Sequence, residues 1–124
     1  MHFCRKKFFE RSIFYQDRKM IVQSKQESDG TVVLTVVVES MDRSNAAEFR
    51  EVAAQMIAIS TGPLVVDCTR LEFLDSSGLG ALLHAQKLLP EERRPVRLSG
   101  VGSKVLTLLE LMQVHRIFAL EPRK

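Results

Sequence analysis

The chain has 124 residues, a length that predicts one domain with a core of its own. Its net charge of +3 is concentrated in the first nineteen residues, where six basic and two acidic side chains give +4; the remaining 12 basic and 13 acidic side chains give −1. That near-neutral remainder argues against a nucleic-acid-binding surface, and the absence of tryptophan with only one tyrosine argues against an aromatic-rich groove.

Residues 1–19, MHFCRKKFFERSIFYQDRK, are interpreted as a basic, disordered or loosely docked extension ahead of a domain over residues 20–124. Its charges interrupt the apolar segment that a secretory signal needs, and no segment is long enough for a transmembrane helix. A basic amphipathic membrane anchor and an upstream start-site artefact, with Met20 opening the domain, are the alternatives. Cys4 and Cys68 form no disulfide framework, so a reduced, cytoplasmic setting is expected.

The predicted elements begin with a strand from Met20 to Gln26 and an Asp-Gly hairpin turn at Ser28 to Gly30. The run from Thr31 to Glu39, TVVLTVVVE, is continuous and β-branched, as is typical of a strand buried on both faces. Ser44 to Ser60 predicts a helix with Ser44 as its N-cap. The predicted apolar stripe of that helix consists of Ala47, Phe49, Val52, Ala53, Met56 and Ile59.

The second half of the chain alternates strands with helices. This order predicts an α/β fold with a mixed, mostly parallel sheet of about five strands, three helices and right-handed crossovers. The inward helix positions are predicted to be Leu79, Leu82, Leu83, Gln86 and Leu89, then Val105, Leu108, Leu109 and Met112. The predicted elements are a strand from Leu64 to Cys68, a helix ending at Pro90, a strand from Val96 to Val101, a helix from Ser103 to Met112, and a strand from Arg116 to Leu120.

The segment EFLDSSGLGALLHAQ places Asp-Ser-Ser-Gly where a strand-like stretch gives way to a helix. Four interpretations apply to it: a helix cap, a phosphate cradle, a catalytic nucleophile, or an acceptor of phosphate. Capping by Asp75, Ser76 or Ser77 is expected, because the first amides of a helix that begins near Gly78 lack partners. Capping explains one polar side chain and leaves room for a function.

The cradle and the nucleophile are disfavoured by the spacing of the motif. Neither G-x-G-x-x-G nor G-x-x-x-x-G-K-[ST] occurs, and a hydrolase elbow needs a glycine two residues before Ser76 or Ser77. The histidines supply no evident base, since His2 lies in the extension, His84 lies off the apolar helix face, and His115 follows a helix end. We therefore expect no catalytic residue, no metal site and no cofactor.

A serine at the N-terminus of a helix, beyond the carboxyl end of a strand, presents its hydroxyl outward. A phosphate there would add about two negative charges near the positive end of the helix, which tolerates an anion. The fold would stay intact, while a partner docked over the turn would be repelled. The motif therefore favours a substrate surface for a kinase.

The stretch VVDCTRLEFLDSSGLGALL resembles the signature of STAS domains, in particular the bacterial anti-sigma-factor antagonists. Asp75 to Gly80 match the family pattern Asp-Ser-Ser/Thr-Gly-Leu-Gly without a break, and Asp42 resembles the aspartate after the family's second strand. VLTLLELMQVHRIF resembles the helix that leads into the last strand. The similarity extends from Val32 to Leu120 and implies a STAS-like fold.

In that family the first serine after the aspartate is phosphorylated by a partner that is both a serine kinase and an anti-sigma factor, and a serine phosphatase reverses the reaction. The resemblance implies that Ser76 is the phosphorylation site and that the unphosphorylated chain binds such a partner, with no direct nucleic acid or membrane contact. A constitutive STAS subunit of a larger complex, such as a lipid-transport ABC system, is the alternative. The implied partner-binding residues are Asp42, Asp75, Ser76, Ser77, Gly78 and Leu79.

The chain departs from the family pattern at three places. Glu39 and Ser40 stand where the family often has a glycine, and Gln113 stands where a glycine often ends the third helix. A left-handed cap at Gln113 would cost roughly 1–2 kcal/mol. The sequence also stops soon after the last predicted strand, so the family's C-terminal helix is expected to be missing or very short.

Overall fold

A computed structural model describes residues 21–123, so the predictions for the extension, for Met20 and for Cys4 lie outside it. Within that range the chain forms two sheets, three α-helices and a short 3-10 turn at Glu91–Arg93. The strands are β1 (Val22–Gln26), β2 (Val32–Val36), β3 (Ser40–Met41), β4 (Leu64–Asp67), β5 (Phe73–Leu74), β6 (Arg97–Val101) and β7 (Ala119–Pro122), and the helices are α1 (Ala46–Ile59), α2 (Ser76–Leu88) and α3 (Ser103–Leu111).

The main sheet has five strands in the order β1-β2-β4-β6-β7. β1 is antiparallel to β2 and the other neighbours are parallel, which confirms the predicted mixed, mostly parallel sheet. From β2 onward the strands follow one another in a single direction across the sheet. Right-handed crossovers therefore place the three helices on one face.

The two faces of this sheet differ in burial. In β2 the side chains of Val32, Leu34 and Val36 are buried, while those of Val33 and Thr35 are half-buried. The prediction that this run is buried on both faces is therefore wrong. Its residues alternate between a face under the helices and a face that the described helices leave open.

The core lies between the covered face of the sheet and the helices. Burying a large aliphatic or aromatic side chain stabilises the fold by about 1.5–3 kcal/mol, so these layers hold each other in place. Its largest fully buried side chains include Leu34, Leu64 and Leu98 from the sheet and Phe49, Leu82 and Leu109 from the helices.

The hairpin between β1 and β2 follows its predicted chemistry. Gly30 has φ of +96°, a conformation that side chains with a Cβ rarely adopt. The Asp29 carboxylate accepts from the Thr31 amide at 3.0 Å, which closes the turn. The Asp-Gly pair therefore reverses the chain as the sequence predicts.

The start of α1 differs from the prediction. Ser44 is not its N-cap: its amide and its hydroxyl both donate to Asp42 Oδ1, at 2.9 and 2.6 Å. Asn45 occupies the cap position, but its side chain turns back toward β3, accepting from the Asp42 amide and donating to the Ser40 carbonyl. A local network of polar side chains therefore replaces a conventional cap.

The apolar face of α1 is rotated slightly from the predicted stripe. Phe49, Val52 and Ala53 are buried as predicted. Ala47 and Ile59, predicted to face inward, are exposed, the latter by 53%, while Ala46 and Ile57 are buried in their place.

The end of α3 shows a left-handed cap on a residue other than glycine. Gln113 has φ of +60°, its amide donates to the Glu110 carbonyl, and the Val114 amide donates to the Leu109 carbonyl, both at 3.0 Å. This pair of bonds is a Schellman motif. Met112, predicted to face inward, is 38% exposed because the helix has already ended.

The last strand begins three residues later than predicted. β7 is Ala119–Pro122, since Arg116 and Ile117 belong to the turn that leaves α3. No helix follows β7 within residues 21–123.

Candidate functional site

A two-stranded parallel ladder brings the two predicted halves of the site together. Met41 of β3 pairs with Leu74 of β5, and the Asp75 amide donates to the Met41 carbonyl at 3.2 Å. Asp42 and Asp75 are the next residues of these paired segments, and neighbouring strands lie about 4.8 Å apart. The structure therefore places the two aspartates side by side, as the resemblance implies.

Asp75 is the cap of α2. Its Oδ1 accepts from the Ser77 amide at 2.8 Å and from the Gly78 amide at 3.0 Å, with backbone angles in the extended region. Of the three candidate caps, Asp75 therefore performs this task. The helix begins at Ser76, two residues before the predicted start near Gly78.

Gly78 lets α2 approach β3 closely. A Cβ on Gly78 would lie 2.3 Å from the Met41 carbonyl oxygen and 3.1 Å from the Leu74 Cβ. Real contacts of a Cβ are longer, so a side chain here requires the helix or the strand to move. The glycine therefore permits the close packing of α2 on the strand that leads into Asp42.

The predicted serines differ in their exposure. Ser76 is exposed at the first position of α2, and Ser77 is half-buried beside it. Leu79 is only 8% exposed and belongs to the core. Of these three side chains, Ser76 is the one exposed at the surface, while Leu79 packs in the core beneath the turn.

The Asp42 carboxylate lies at the centre of a hydrogen-bonded loop. It accepts from the hydroxyl and amide of Ser44, and the Ser40 hydroxyl donates to it at 3.3 Å. These bonds, first those from Ser44, lower the pKa of Asp42 below its usual value of 3.8. Asp42 is therefore a carboxylate at neutral pH, beside the turn that carries Ser76.

The other titratable groups considered are the possible metal ligands, two histidines and one cysteine. Within residues 21–123 no group of three or more histidine, cysteine or acidic side chains has the geometry to hold a metal ion. His115 Nδ1 is buried with no hydrogen-bond partner among the described residues, and His84 is half-buried on α2. Burial, with a smaller effect of Asp67, raises the pKa of the Cys68 thiol to about 12.

In a comparison with known families, residues 24–121 match the family model described as "Mlab, STAS domain". The chain belongs to the STAS domain family. A comparison with curated proteins finds no match.

Solved structures share the STAS fold of this chain. An anti-sigma factor antagonist from Mycobacterium paratuberculosis is 24% identical with a TM-score of 0.70, over 82% of this chain and 86% of that one. The phosphorylated form of the Bacillus cell fate determinant SpoIIAA is 18% identical with a TM-score of 0.61, over 80% and 89%. The murine anion transporter Solute Carrier 26 family member A9 is 18% identical with a TM-score of 0.63, over 77% of this chain and 16% of the transporter.

Beside the turn, this STAS domain has an open groove that the sequence did not predict. It lies between the segment leading into α2 and the outer side of α3, and its volume is about 380 Å³. Phe73, on the two-residue strand β5, is 47% exposed there. The sequence feature that could have revealed this groove is Phe73, an apolar residue with no assigned role immediately before Leu74 and Asp75. The groove is lined by Glu72, Phe73, Ser103, Lys104, Thr107 and Leu108.

No helix within the described part of this STAS domain is both long enough and apolar enough to cross a bilayer.

Proposed function

We propose that this STAS domain protein is a phosphorylation-switched anti-sigma-factor antagonist that acts in the cytoplasm. Unphosphorylated, it binds an anti-sigma factor with serine kinase activity; phosphorylated on Ser76, it releases that partner until a serine phosphatase restores it. The observation that carries the proposal is the exposed Ser76 hydroxyl at the start of α2, beside the Asp42 loop. The domain is taken as residues 20–124, with residues 1–19 as an extension outside the switch.

Similar solved structures support this proposal. One is an anti-sigma factor antagonist, and another is SpoIIAA in its phosphorylated form. Those proteins share the fold that presents the serine of this chain. The partner surface is proposed to comprise Asp42, Asp75, Ser76 and Ser77, with Gly78 and Leu79 fixing its shape from below.

The switch follows from charge rather than from a change of fold. Ser76 forms no side-chain hydrogen bond with the other described residues, so a phosphate on its oxygen breaks none of those contacts. The phosphate adds about two negative charges beside the Asp42 carboxylate, which is already ionised. A partner that covers this surface would then have to desolvate a cluster of like charges, which weakens binding.

The site is tested by incubating the full chain with its cognate kinase and ATP and mapping the modified residue by mass spectrometry. We expect phosphate on Ser76 and none on Ser76→Ala, while Ser77→Ala, which alters the partner surface but keeps the acceptor, should still carry its phosphate on Ser76. Phosphate elsewhere, or none, contradicts the assignment of Ser76.

Partner binding is tested with the same positions. Ser76→Ala should bind the kinase as the wild type does, and Ser76→Asp should bind it more weakly, measured by calorimetry or pull-down. Equal binding by Ser76→Asp and wild type would contradict the electrostatic switch.

A second candidate function is a constitutive STAS subunit of a larger assembly, such as a lipid-transport ABC system. Two observations favour it: the matching family model carries the name Mlab, and a STAS-like fold forms part of an anion transporter chain. Co-purification with a membrane ATPase, at equal yield for wild type and Ser76→Asp, would support this function over the switch.

A further inference from the structure

Arg50 of α1 lies against α2 one helical turn beyond Ser76. A Cβ placed on Gly80 would lie 3.5 Å from Arg50 Nη2, so the guanidinium rests where position 80 has no side chain. Positions 76 and 80 share one face of a helix, with Cβ atoms about 6 Å apart. The nitrogen therefore lies within about 10 Å of the Ser76 Cβ.

The guanidinium of Arg50 is available for a new partner. It takes part in none of the hydrogen bonds or ion pairs found among residues 21–123. Arg93, Arg94 and Arg123, by contrast, each donate to backbone carbonyls. Arg50 is exposed on a helix surface, and its flexible stem allows the charged end to move toward the start of α2.

The start of α2 provides few free amide donors for a phosphate. The amides of Ser77 and Gly78, which would otherwise face an anion, already donate to Asp75. A phosphate on Ser76 would displace that cap to reach them and would also lie near Asp42. A cation outside the cap is therefore the better partner for the added charge.

We propose that Arg50 is the counter-ion of phosphorylated Ser76 and holds the phosphate across Gly80, between α1 and α2. The proposal rests on the proposed function, since it concerns the state in which Ser76 carries phosphate. Guanidinium and phosphate match as a two-pronged pair, so Arg50 orients the phosphate beside α2. Arg50 is thus a positioning residue of the phosphorylated state.

The test uses the full chain with phosphoserine encoded at position 76, so no kinase is needed. Phosphorus NMR follows the second ionisation of the phosphate, whose pKa is ordinarily near 6, at low salt to limit screening. We expect Arg50→Gln to raise this pKa by about 0.7, the effect of removing one charge about 4 Å away in water, as in a direct guanidinium–phosphate contact. Arg50→Lys should recover part of the shift.

Two further variants separate pairing from general charge effects. Lys87→Gln removes a charge at the far end of the same helix and should leave the phosphate pKa unchanged. Gly80→Leu keeps Arg50 but fills its place on α2, so it should raise the pKa as Arg50→Gln does. Equal pKa values in Arg50→Gln and wild type overturn the proposal, as does an equal shift in Lys87→Gln.

The outcome is independent of the test of Ser76 as a kinase substrate. If the phosphate pairs with Arg50 but no kinase modifies Ser76, only the proposed function is contradicted. If a kinase modifies Ser76 but Arg50 has no effect on the phosphate pKa, only the pairing with Arg50 is contradicted. Amide NMR spectra of each variant show whether it is folded before its pKa is compared.

Discussion

Replacing Gly78 with alanine tests whether the close approach of α2 to β3 shapes the site. The new Cβ would lie 2.3 Å from the Met41 carbonyl oxygen, a backbone atom that no rotamer change moves aside. Overpacking of this kind costs about 1–3 kcal/mol in unfolding free energy. The higher helix propensity of alanine offsets up to about 1 kcal/mol of this destabilisation.

Gly80→Ala is the matched control. It lies on the same helix two residues later, where a Cβ meets only the mobile end of Arg50, at 3.5 Å. The propensity gain is similar at both positions, so the difference between the two variants isolates the clash. We expect Gly78→Ala to be less stable than Gly80→Ala by about 1–3 kcal/mol, or roughly 4–8 °C in Tm for each kcal/mol.

Urea unfolding of wild type and both variants, followed by circular dichroism, measures this difference. Equal slopes with urea concentration show that the free energies are comparable. Gly78→Ala and Gly80→Ala unfolding at the same urea concentration would refute the reasoning, because the helix and the strand would then not be in contact at this point.

Three further predictions concern single side chains outside this contact. Gln113→Gly should raise the unfolding free energy by about 1 kcal/mol, because glycine relieves the left-handed conformation; Gln113→Ala, tested alongside in urea, should give no such gain, and an equal gain would contradict the explanation. Ser44→Ala should move the pKa of Asp42, followed by carbon-detected NMR, upward toward 3.8, and an unchanged pKa would show that Ser44 does not cause the lowering. Because the folded pKa is lowered, the stabilisation from Asp42 is complete above pH 3.8 and is lost as pH falls through the folded value. Cys68, whose pKa is raised to about 12 by burial, should react with a thiol reagent at neutral pH only on unfolding, tested in a Cys4→Ser background, and rapid reaction of the native protein would contradict its burial.

The sheet and the existence of its helices could be predicted because they depend on local patterns. β-branched runs, an Asp-Gly pair and periodic leucines each act over a few residues. Helix ends were less predictable because long-range contacts decide them. Ser44, a good cap by residue type, instead binds Asp42, since that loop is drawn toward β5 by pairing that the sequence does not display.

The sequence motif located the candidate site but did not predict the geometry of that site. The order Asp-Ser-Ser-Gly does not show which side chain caps α2, and the structure gives that task to Asp75. Nor does it show that Gly80 leaves room for Arg50, since that depends on how α1 packs on α2. Gln86 is a similar case: placed on an apolar helix face by periodicity, it bonds to the backbone of Val96 and Ile117.

The join between β3 and β5 is made of main-chain bonds. The amides of Glu72 and Phe73 donate to the Glu39 carbonyl, and the Asp75 amide donates to Met41. Bonds of this kind form with any residue except proline, which lacks the amide hydrogen, so the side chains at positions such as Phe73 and Ser76 can change while the two loops stay together. The same scaffold can therefore exchange one set of surface groups for another over evolution, with Gly78 as the position that such drift must leave alone.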